Sequence, residues 1–313
     1  MSLREYLHGL PLLIIDGALA TEMEKRGADL HDPLWSAKYL IEEPERIAAV
    51  HFDYLCAGAD VLITASYQAS IPGFMARGMS RAQAYQLIQT SVDLARTARA
   101  NWCDTHSVTA TRWLPLIAGS VGPYGAYTAD GGEYRGNYGL SAAQLREFHL
   151  PRIDALVTAG VDFIACETIP DLFEATVLAE VLAEYPGTEA WMSFSCGSGV
   201  STYAGQSINE VAQTMAQYPH ILALGANCTA PQYIPAIITT MRATSNQAIV
   251  VYPNSGEQYD AHSNTWSGIA TCDDYVHAAQ HWYALGANAI GGCCRTDPAT
   301  IAAVRAALVG ASV

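Results

Sequence analysis

The chain has 313 residues, of which 50% are apolar and 15% are charged, and this composition excludes general disorder. Its 16 Lys and Arg residues against 30 Asp and Glu residues give a formal net charge of −14, which argues against nucleic acid and anionic membranes as partners. No apolar run approaches the ~18 residues of a membrane span, and no secretory signal is visible. We therefore expect a soluble, cytoplasmic protein whose cysteines are reduced.

Eight short apolar runs, rich in β-branched residues, recur along the chain. Most of them are continuous apolar stretches, which is typical of strands buried on both faces of a parallel sheet. In chain order, the predicted strands are 12–15, 60–64, 116–119, 161–166, 190–195, 221–225, 248–252 and 288–291.

Segments of helical character with recognisable ends lie between these strands. The predicted helix starts are Pro44, Ser141 with Gln144 in a capping box, Pro170, and Asp297 with Pro298. Gly58 is expected to end the first of these helices. Pro151 is expected to kink or split the helix that begins after Ser141, because proline lacks the N–H of a helix interior.

One local pattern occurs three times, at 57–60, 159–162 and 285–288, where a glycine at a helix end is followed by Asp or Asn at a strand start. Such repetition favours one βα unit used repeatedly. Eight βα units in this length predict an α/β fold, a single (β/α)8 TIM barrel of parallel strands over residues 1–313, with its active site at the carboxyl-terminal mouth. The alternative is an open doubly wound sheet, although the turn 16–21 lacks the GxGxxG motif.

Polar and sulfur-containing residues follow the predicted strands, where a barrel would gather them at one mouth. They are Asp16, Gly17, Thr64, Ser66, Ser120, Glu167, Ser195, Cys196, Asn227, Cys228, Asn254, Cys293 and Cys294. Three thiols, from Cys228, Cys293 and Cys294, therefore converge. Three cysteinates on a zinc ion, with Zn–S about 2.3 Å, leave one tetrahedral position for a substrate. The alternative is that these cysteines are ordinary packing residues, but Gly291 and Gly292 beside them favour a site.

Three motifs then carry a resemblance to a known family. The segments 16–21 (DGALAT), 225–228 (GANC) and 291–296 (GGCCRT) resemble the homocysteine S-methyltransferase family of zinc-dependent barrels. The segments 119–127, 133–138 and 251–257 look like the branch that uses S-methylmethionine as donor. The resemblance runs from about residue 11 to residue 308.

The resemblance implies that Cys228, Cys293 and Cys294 hold zinc (Zn²⁺), and that further residues surround L-homocysteine. The residues implied around the substrate are Asp16, Gly17, Thr64, Glu167 and Asn227. Glu167 and Asp16 are expected to pair with its ammonium, and backbone N–H groups near Gly17 with its carboxylate. A buried glutamate needs such a partner, whereas Asp16 also suits a plain turn-forming role.

The expected reaction transfers a methyl group from a sulfonium to the homocysteine thiolate, forming methionine. A free thiol with a pKa of ~8.5 is mostly protonated at neutral pH, so zinc would supply the thiolate. The candidates for contacting the donor are Tyr124, Tyr127, Tyr134 and Asn254, the tyrosines lying in the glycine-rich stretch 122–140, where cation–π contact is the expected mode. S-methylmethionine is expected as donor, with S-adenosylmethionine and betaine as alternatives, and the chain is expected to be a monomer.

Other interpretations stay open from the residues alone. The chain fits a phosphate-ligand barrel isomerase or lyase in which the cysteines are incidental, with Gly291 and Gly292 as a phosphate nest. It also fits a non-catalytic zinc or redox thiol site, closed by His262 as a fourth ligand. His277 and His281 are spaced as in HExxH but lack its glutamate, and we expect them on a helix surface. Without metal, a disulfide is expected between Cys228 and Cys293 or Cys294.

Overall fold

A computed structural model describes residues 2–109, 112–256, 258–260, 265–267 and 271–310. Within them, one sheet of parallel strands consists of β1 Leu13–Ile14, β2 Val61–Ile63, β3 Leu116–Val121, β4 Phe163–Ile169, β5 Ala190–Phe194, β6 Ile221–Asn227, β7 Ala248–Tyr252 and β10 Ala289–Ile290. Their order in the sheet is β1-β10-β7-β6-β5-β4-β3-β2. The predicted strands are confirmed in number, order and direction.

The two edge strands of this sheet meet and close it into a barrel. Ile15 forms a parallel bridge with Val61, and the Asp16 N–H donates to the Val61 carbonyl at 3.1 Å. The predicted (β/α)8 barrel is therefore confirmed, and the open doubly wound alternative is wrong. An antiparallel hairpin that the sequence analysis did not predict, β8 Gln258–Asp260 with β9 Thr265–Ser267, is inserted after β7.

Helices surround the barrel. The described α-helices are α1 Leu3–Gly9, α2 Leu19–Lys25, α3 Tyr39–Glu42, α4 Pro44–Ala57, α5 Ile71–Met75, α6 Arg81–Thr105, α7 Tyr124–Thr128, α8 Ala142–Thr158, α9 Leu172–Leu182, α10 Ile208–Met215, α11 Ile234–Thr244, α12 Cys272–Ala284 and α13 Pro298–Leu308. Short 3-10 turns occupy Trp35–Lys38, Gly132–Tyr134 and Pro231–Tyr233. Across the described residues, no helix combines the length and apolar character needed to cross a bilayer.

Several predicted helix ends are confirmed. Pro44 is the first residue of α4, and Gly58 ends it with a φ of +106°, which a residue without Cβ adopts readily. Ser141 caps α8 in a capping box with Gln144. Asp297 caps α13 by accepting from the Thr300 N–H at 2.9 Å.

The structure corrects two proline predictions. Helix α8 runs through Pro151, so the expected split does not occur, because its face of buried Leu145, Ile153 and Leu156 packs on the barrel and outweighs one lost backbone bond. Pro170 precedes α9, whose cap is Asp171, because the Asp171 carboxylate can accept from the Phe173 N–H at 2.9 Å.

The repeated joint between helix and strand has a defined hydrogen-bonding role. The residue at each strand start accepts the N–H of a neighbouring strand through its side chain. The pairs are Asp60 with Ile14 at 2.9 Å, Asp162 with Ile117 at 2.7 Å, and Asn288 with Ile249 at 2.9 Å. An arginine from an outer helix then holds each acceptor, as Arg305 holds Asp60 and Arg99 holds Asp162, both at 2.9 Å. This repeat sets the register between neighbouring strands.

Alternating residues of each strand divide the core into two parts. Ile14 faces the outer helices, whereas Leu13 and Ile15 face the barrel interior. Leu3 and Tyr6 of α1 pack with the interior group and cover the amino-terminal end of the barrel. The carboxyl-terminal end is therefore where a ligand can enter.

Candidate metal and substrate site

Three cysteine thiols meet at the carboxyl-terminal mouth of the barrel. Cys228 directly follows β6, and Cys293 and Cys294 follow β10. Cys228 Sγ lies 2.9 Å from Cys293 Sγ and 3.6 Å from Cys294 Sγ, and the latter two sulfurs are 4.0 Å apart. Among the described residues, this is the one group of three or more His, Cys, Asp or Glu side chains that could hold a metal ion. The predicted convergence of the three thiols is confirmed.

Two of the three sulfur spacings fit a tetrahedral metal, and the third, between Cys228 and Cys293 at 2.9 Å, is shorter. Zn–S bonds of about 2.3 Å place sulfurs about 3.8 Å apart, close to the 3.6 and 4.0 Å observed. Hydrogen bonds from Cys293 and Cys294 lower the pKa of Cys228, and the same contacts raise the pKa of the two donating thiols. The cluster thus gathers sulfur ligands that a soft or borderline metal ion prefers.

The backbone around the thiols adopts a conformation that L-residues rarely take. Cys228 has a φ of +46°, Arg295 has a φ of +67°, and Thr168, near the carboxyl end of β4, has a φ of +59°. Left-handed non-glycine residues carry strain and cluster at functional sites. Cys228 and Arg295 turn the chain where the thiols from β6 and β10 meet, and Thr168 distorts the end of β4 beside them.

The glycines before Cys293 allow close backbone contact. A Cβ on Gly291 would lie 2.5 Å from the Ile15 Cβ, and a Cβ on Gly292 would lie 2.3 Å from Thr296 Oγ1. A side chain on Gly291 would push the cysteine loop away from the end of β1, and a side chain on Gly292 would displace Thr296. The sequence-based interpretation of these glycines as close-approach positions is confirmed.

The thiols form part of the wall of a cavity of about 640 Å³. The predicted substrate residues Asp16, Gly17, Thr64, Glu167 and Asn227 line the same cavity, as does Tyr134. Among the described residues, its walls carry the carboxyl groups of Asp16, Glu24, Asp32, Glu133 and Glu167, with His31 and Arg295 as the basic side chains. The cavity therefore favours cationic ligands.

Glu167 is a buried carboxyl group at the cavity wall. It is 6% exposed, and its Oε1 accepts from the Ser120 hydroxyl. Burial raises the pKa of Glu167 to about 7, and the nearby Cys228 adds to that increase. A carboxyl group in this position becomes ionised more easily when a cationic ligand arrives.

Asp16 combines a structural bond with a position at the cavity. Its Oδ2 accepts from the Ile63 N–H at 2.9 Å, so it ties β1 to β2 where the barrel closes. Burial and the charge of Glu167 raise the pKa of Asp16. The neighbouring Thr64 bonds to Ser66 Oγ at 2.7 Å and accepts from the Ser120 N–H at 3.0 Å. Both residues thus hold strand ends as well as lining the cavity.

The predicted donor residues occupy two different places. Tyr134 lines the cavity and hydrogen-bonds to Cys228. Tyr124 and Tyr127 instead pack against Phe148, with ring centroids 5.0 and 5.4 Å away. Asn254 is 8% exposed, and its N–H donates to the Thr229 carbonyl at 3.1 Å. Of these four residues, only Tyr134 lines the cavity.

A buried network explains the position of Tyr124. Glu174 accepts from the Tyr124 N–H at 2.6 Å and lies 2.9 Å from His149 Nε2. Arg152 donates to His149 Nδ1 at 2.8 Å, so Nε2 carries the proton that is donated to Glu174. Arg152 also bonds to the Gly122 carbonyl. The start of the loop after β3 is therefore fixed to α8 and α9.

Among the wall residues that the sequence analysis did not single out are Tyr67, Glu133 and Thr168, which lie near the thiols or the substrate residues. Tyr67 hydrogen-bonds to Thr168, and burial raises its pKa. Tyr67 and Thr168 follow predicted strand ends closely, so extending that criterion by a few residues would have found both. Glu133 lies in a loop, where no strand-end criterion applies.

The histidines set aside earlier are also placed. His277 and His281 lie exposed on α12, as predicted. His262, the expected fourth ligand of a closed zinc site, and Glu257 of the donor-branch motif lie outside the described residues.

Comparisons with known proteins agree with this geometry. A family model described as homocysteine S-methyltransferase matches residues 13–308. The homocysteine S-methyltransferase YbgG of Bacillus subtilis (strain 168) is 48% identical over 304 residues, covering 97% of this chain and 96% of that protein. The metallated form of the homocysteine methyltransferase MmuM from Escherichia coli superposes with a TM-score of 0.87 at 45% identity, covering 97% of this chain and 99% of that one. Its oxidised form gives the same score and identity, with 97% and 98% covered. The chain is thus an enzyme of the homocysteine S-methyltransferase family.

Proposed function

We propose that this enzyme transfers a methyl group from a sulfonium donor, S-methylmethionine, to the sulfur of L-homocysteine, with zinc as its metal. The observation that carries the proposal is the trio of Cys228, Cys293 and Cys294 in the wall of an open, acidic cavity. Relatives that match nearly the whole chain and are named as homocysteine methyltransferases support the homocysteine part of the proposal.

Zinc suits three sulfur ligands better than harder metals do. Cysteine thiolates select zinc among the common divalent ions, and three protein ligands leave one position for a substrate. When bound, zinc would supply the Lewis acidity that turns an incoming thiol into a thiolate at neutral pH. Cys228, Cys293 and Cys294 would hold it, and their negative charge would keep the homocysteine sulfur electron-rich.

The amino-acid end of homocysteine would be held by residues of β1 and β4. Glu167, and with it Asp16, would pair with the ammonium, and backbone N–H groups near Gly17 would bind the carboxylate. Thr64 and Asn227 would fix the wall around this end through their hydrogen bonds to Ser120 and Thr168. The result is one fixed direction for the sulfur, towards the three cysteines.

The charge of the cavity supports a cationic donor. In the transfer, the donor's S–CH3 bond breaks while a new bond forms from that carbon to the homocysteine sulfur, and the donor leaves as a neutral thioether. No general acid is therefore required. S-methylmethionine gives methionine as both products, and Tyr134, which lines the cavity, would face its positive sulfur through cation–π contact. An anionic phosphate ligand would meet five carboxyl groups here.

The test is an assay of methionine formation with homocysteine and each of S-methylmethionine, S-adenosylmethionine and betaine. We expect about one zinc per chain, activity with S-methylmethionine, and loss of activity after chelation that added zinc restores. Cys293→Ser should lose zinc, whereas Cys103→Ser, which changes an exposed cysteine on α6, should retain it. Full activity in protein free of zinc would contradict the proposal.

A further inference from the structure

Glu133 is an unassigned carboxylate in the cavity wall. It lies in the 3-10 turn Gly132–Tyr134 and faces the same cavity as the three cysteines. Its Oε2 is buried and has no hydrogen-bond partner among the described residues. A buried carboxylate oxygen without a donor is costly, so such an atom beside a ligand cavity points to a ligand that supplies the missing donor.

The nearest basic residue of the turn does not fill that role. Arg135 is 59% exposed, and its Nη2 bonds to Asp130 Oδ2 at 2.9 Å. Burial raises the pKa of Glu133 to about 7, with the charges of Cys228 and Asp130 adding to the increase. The Glu133 carboxylate accepts from its own backbone N–H, but its Oε2 has no partner among the described residues.

The position of Glu133 is set by the barrel. Ser195, directly after β5, donates its hydroxyl to the Glu133 carbonyl at 2.8 Å. Gly125 of α7 packs against the same turn, since a Cβ there would lie 2.5 Å from the Glu133 nitrogen and 2.3 Å from the Gly132 carbonyl carbon. The backbone of Glu133 is therefore fixed before any ligand arrives, which reduces the entropy lost on binding.

We propose that Glu133 is a specificity-determining residue that binds the α-ammonium group of the methyl donor. The inference rests on the proposed function and extends it to the part of the cavity that would hold the methyl donor. Glu133 Oε2 lacks a hydrogen-bond donor, and a sulfonium centre or a quaternary ammonium has no N–H to give. A primary ammonium has three, so Glu133 selects sulfonium donors that are amino acids over those that carry no amine.

The test compares two sulfonium compounds by calorimetry on zinc-loaded protein. S-methylmethionine carries the ammonium, whereas dimethylsulfoniopropionate keeps the sulfonium and carboxylate without an amine. We expect Glu133→Gln to weaken S-methylmethionine binding about 10- to 100-fold, the range for a hydrogen bond between charged groups. Binding of dimethylsulfoniopropionate should change less than twofold. Glu133→Asp, which keeps the charge on a shorter arm, should give an intermediate loss.

Two controls separate this role from a structural one. Glu147→Gln removes one exposed carboxylate from α8 and should leave both affinities unchanged. The KM for homocysteine and the melting temperature should stay at wild-type values in Glu133→Gln, because the change is nearly isosteric.

The outcomes also separate this inference from the proposed function. A wild-type protein that forms no methionine from homocysteine and any sulfonium overturns the proposed function. Equal affinity of wild type and Glu133→Gln for S-methylmethionine overturns the inference. So does a parallel loss for both sulfonium compounds, or failure of the wild type to bind S-methylmethionine.

Discussion

The side-chain amide of Asn227 forms two hydrogen bonds with Thr168. Asn227 Oδ1 accepts from the Thr168 N–H at 2.7 Å, and Nδ2 donates to Thr168 Oγ1 at 2.7 Å. Thr168 has a φ of +59° and directly follows Glu167. Asn227, at the end of β6, therefore fixes the strained backbone of Thr168 and with it the position of the neighbouring Glu167.

Asn227→Ala should release this backbone. We expect the free energy of unfolding to fall by about 1–3 kcal/mol, because buried polar groups of Thr168 lose their partners. The KM for homocysteine should rise as Glu167 loses its fixed position. Ser193→Ala is the matched control, since it removes only the hydroxyl that donates to Asn227 Oδ1 at 2.8 Å. Urea unfolding and steady-state kinetics measure both effects, and equal results for the two variants would contradict this role.

Glu167 should make ligand binding depend on pH. Burial raises its pKa to about 7, and only the ionised form pairs with an ammonium. Affinity for L-methionine, whose thioether does not titrate, should therefore be highest above pH 7 and fall as the pH drops through about 7 towards 5.5. Calorimetry over this range measures it. Glu167→Gln should bind weakly with a flat profile; a variant that kept the wild-type profile would assign the titration to another group.

Asp60, the buried hydrogen-bond acceptor at the start of β2, should stabilise the barrel strongly. Asp60 is 2% exposed and pairs with Arg305, which is 3% exposed. Asp60→Ala would remove the carboxylate that pairs with this buried guanidinium. We therefore expect the free energy of unfolding to fall by about 3–5 kcal/mol. Asp93→Ala, which breaks an exposed pair with Arg96 on α6, should cost less than about 0.5 kcal/mol. Denaturant unfolding of both variants measures the two losses of stability. Losses of similar size would contradict a strong stabilising role for Asp60.

Metal-free protein should oxidise at the site. Cys228 Sγ lies closer to Cys293 Sγ, at 2.9 Å, than to Cys294 Sγ, at 3.6 Å, so the disulfide expected after exposure to air joins Cys228 to Cys293. Peptide mapping by mass spectrometry under non-reducing conditions would identify it. Zinc-loaded protein is the control and should keep all three thiols reduced. Three free thiols in aerated metal-free protein would count against this prediction.

Local signals in the chain predicted much of the fold. The buried apolar runs gave strand order and direction, and the glycine followed by Asp or Asn predicted the same joint at Asp60, Asp162 and Asn288. These signals succeed because the residues concerned act over a few positions, through φ angles, caps and strand burial. Pro151 does not split α8, because packing of the helix on the barrel overrides a local preference.

The sequence by itself determined the barrel and the meeting of Cys228 with Cys293 and Cys294, because strand ends of a closed parallel sheet must share one mouth. Only the tertiary structure decided which side chains near that mouth are already engaged. Tyr124 is held by Glu174 and Asn227 by Thr168, whereas Glu133 Oε2 is left without a partner among the described residues. Hydrogen-bond saturation depends on groups that are distant in the chain, and such contacts exist only once the barrel has closed.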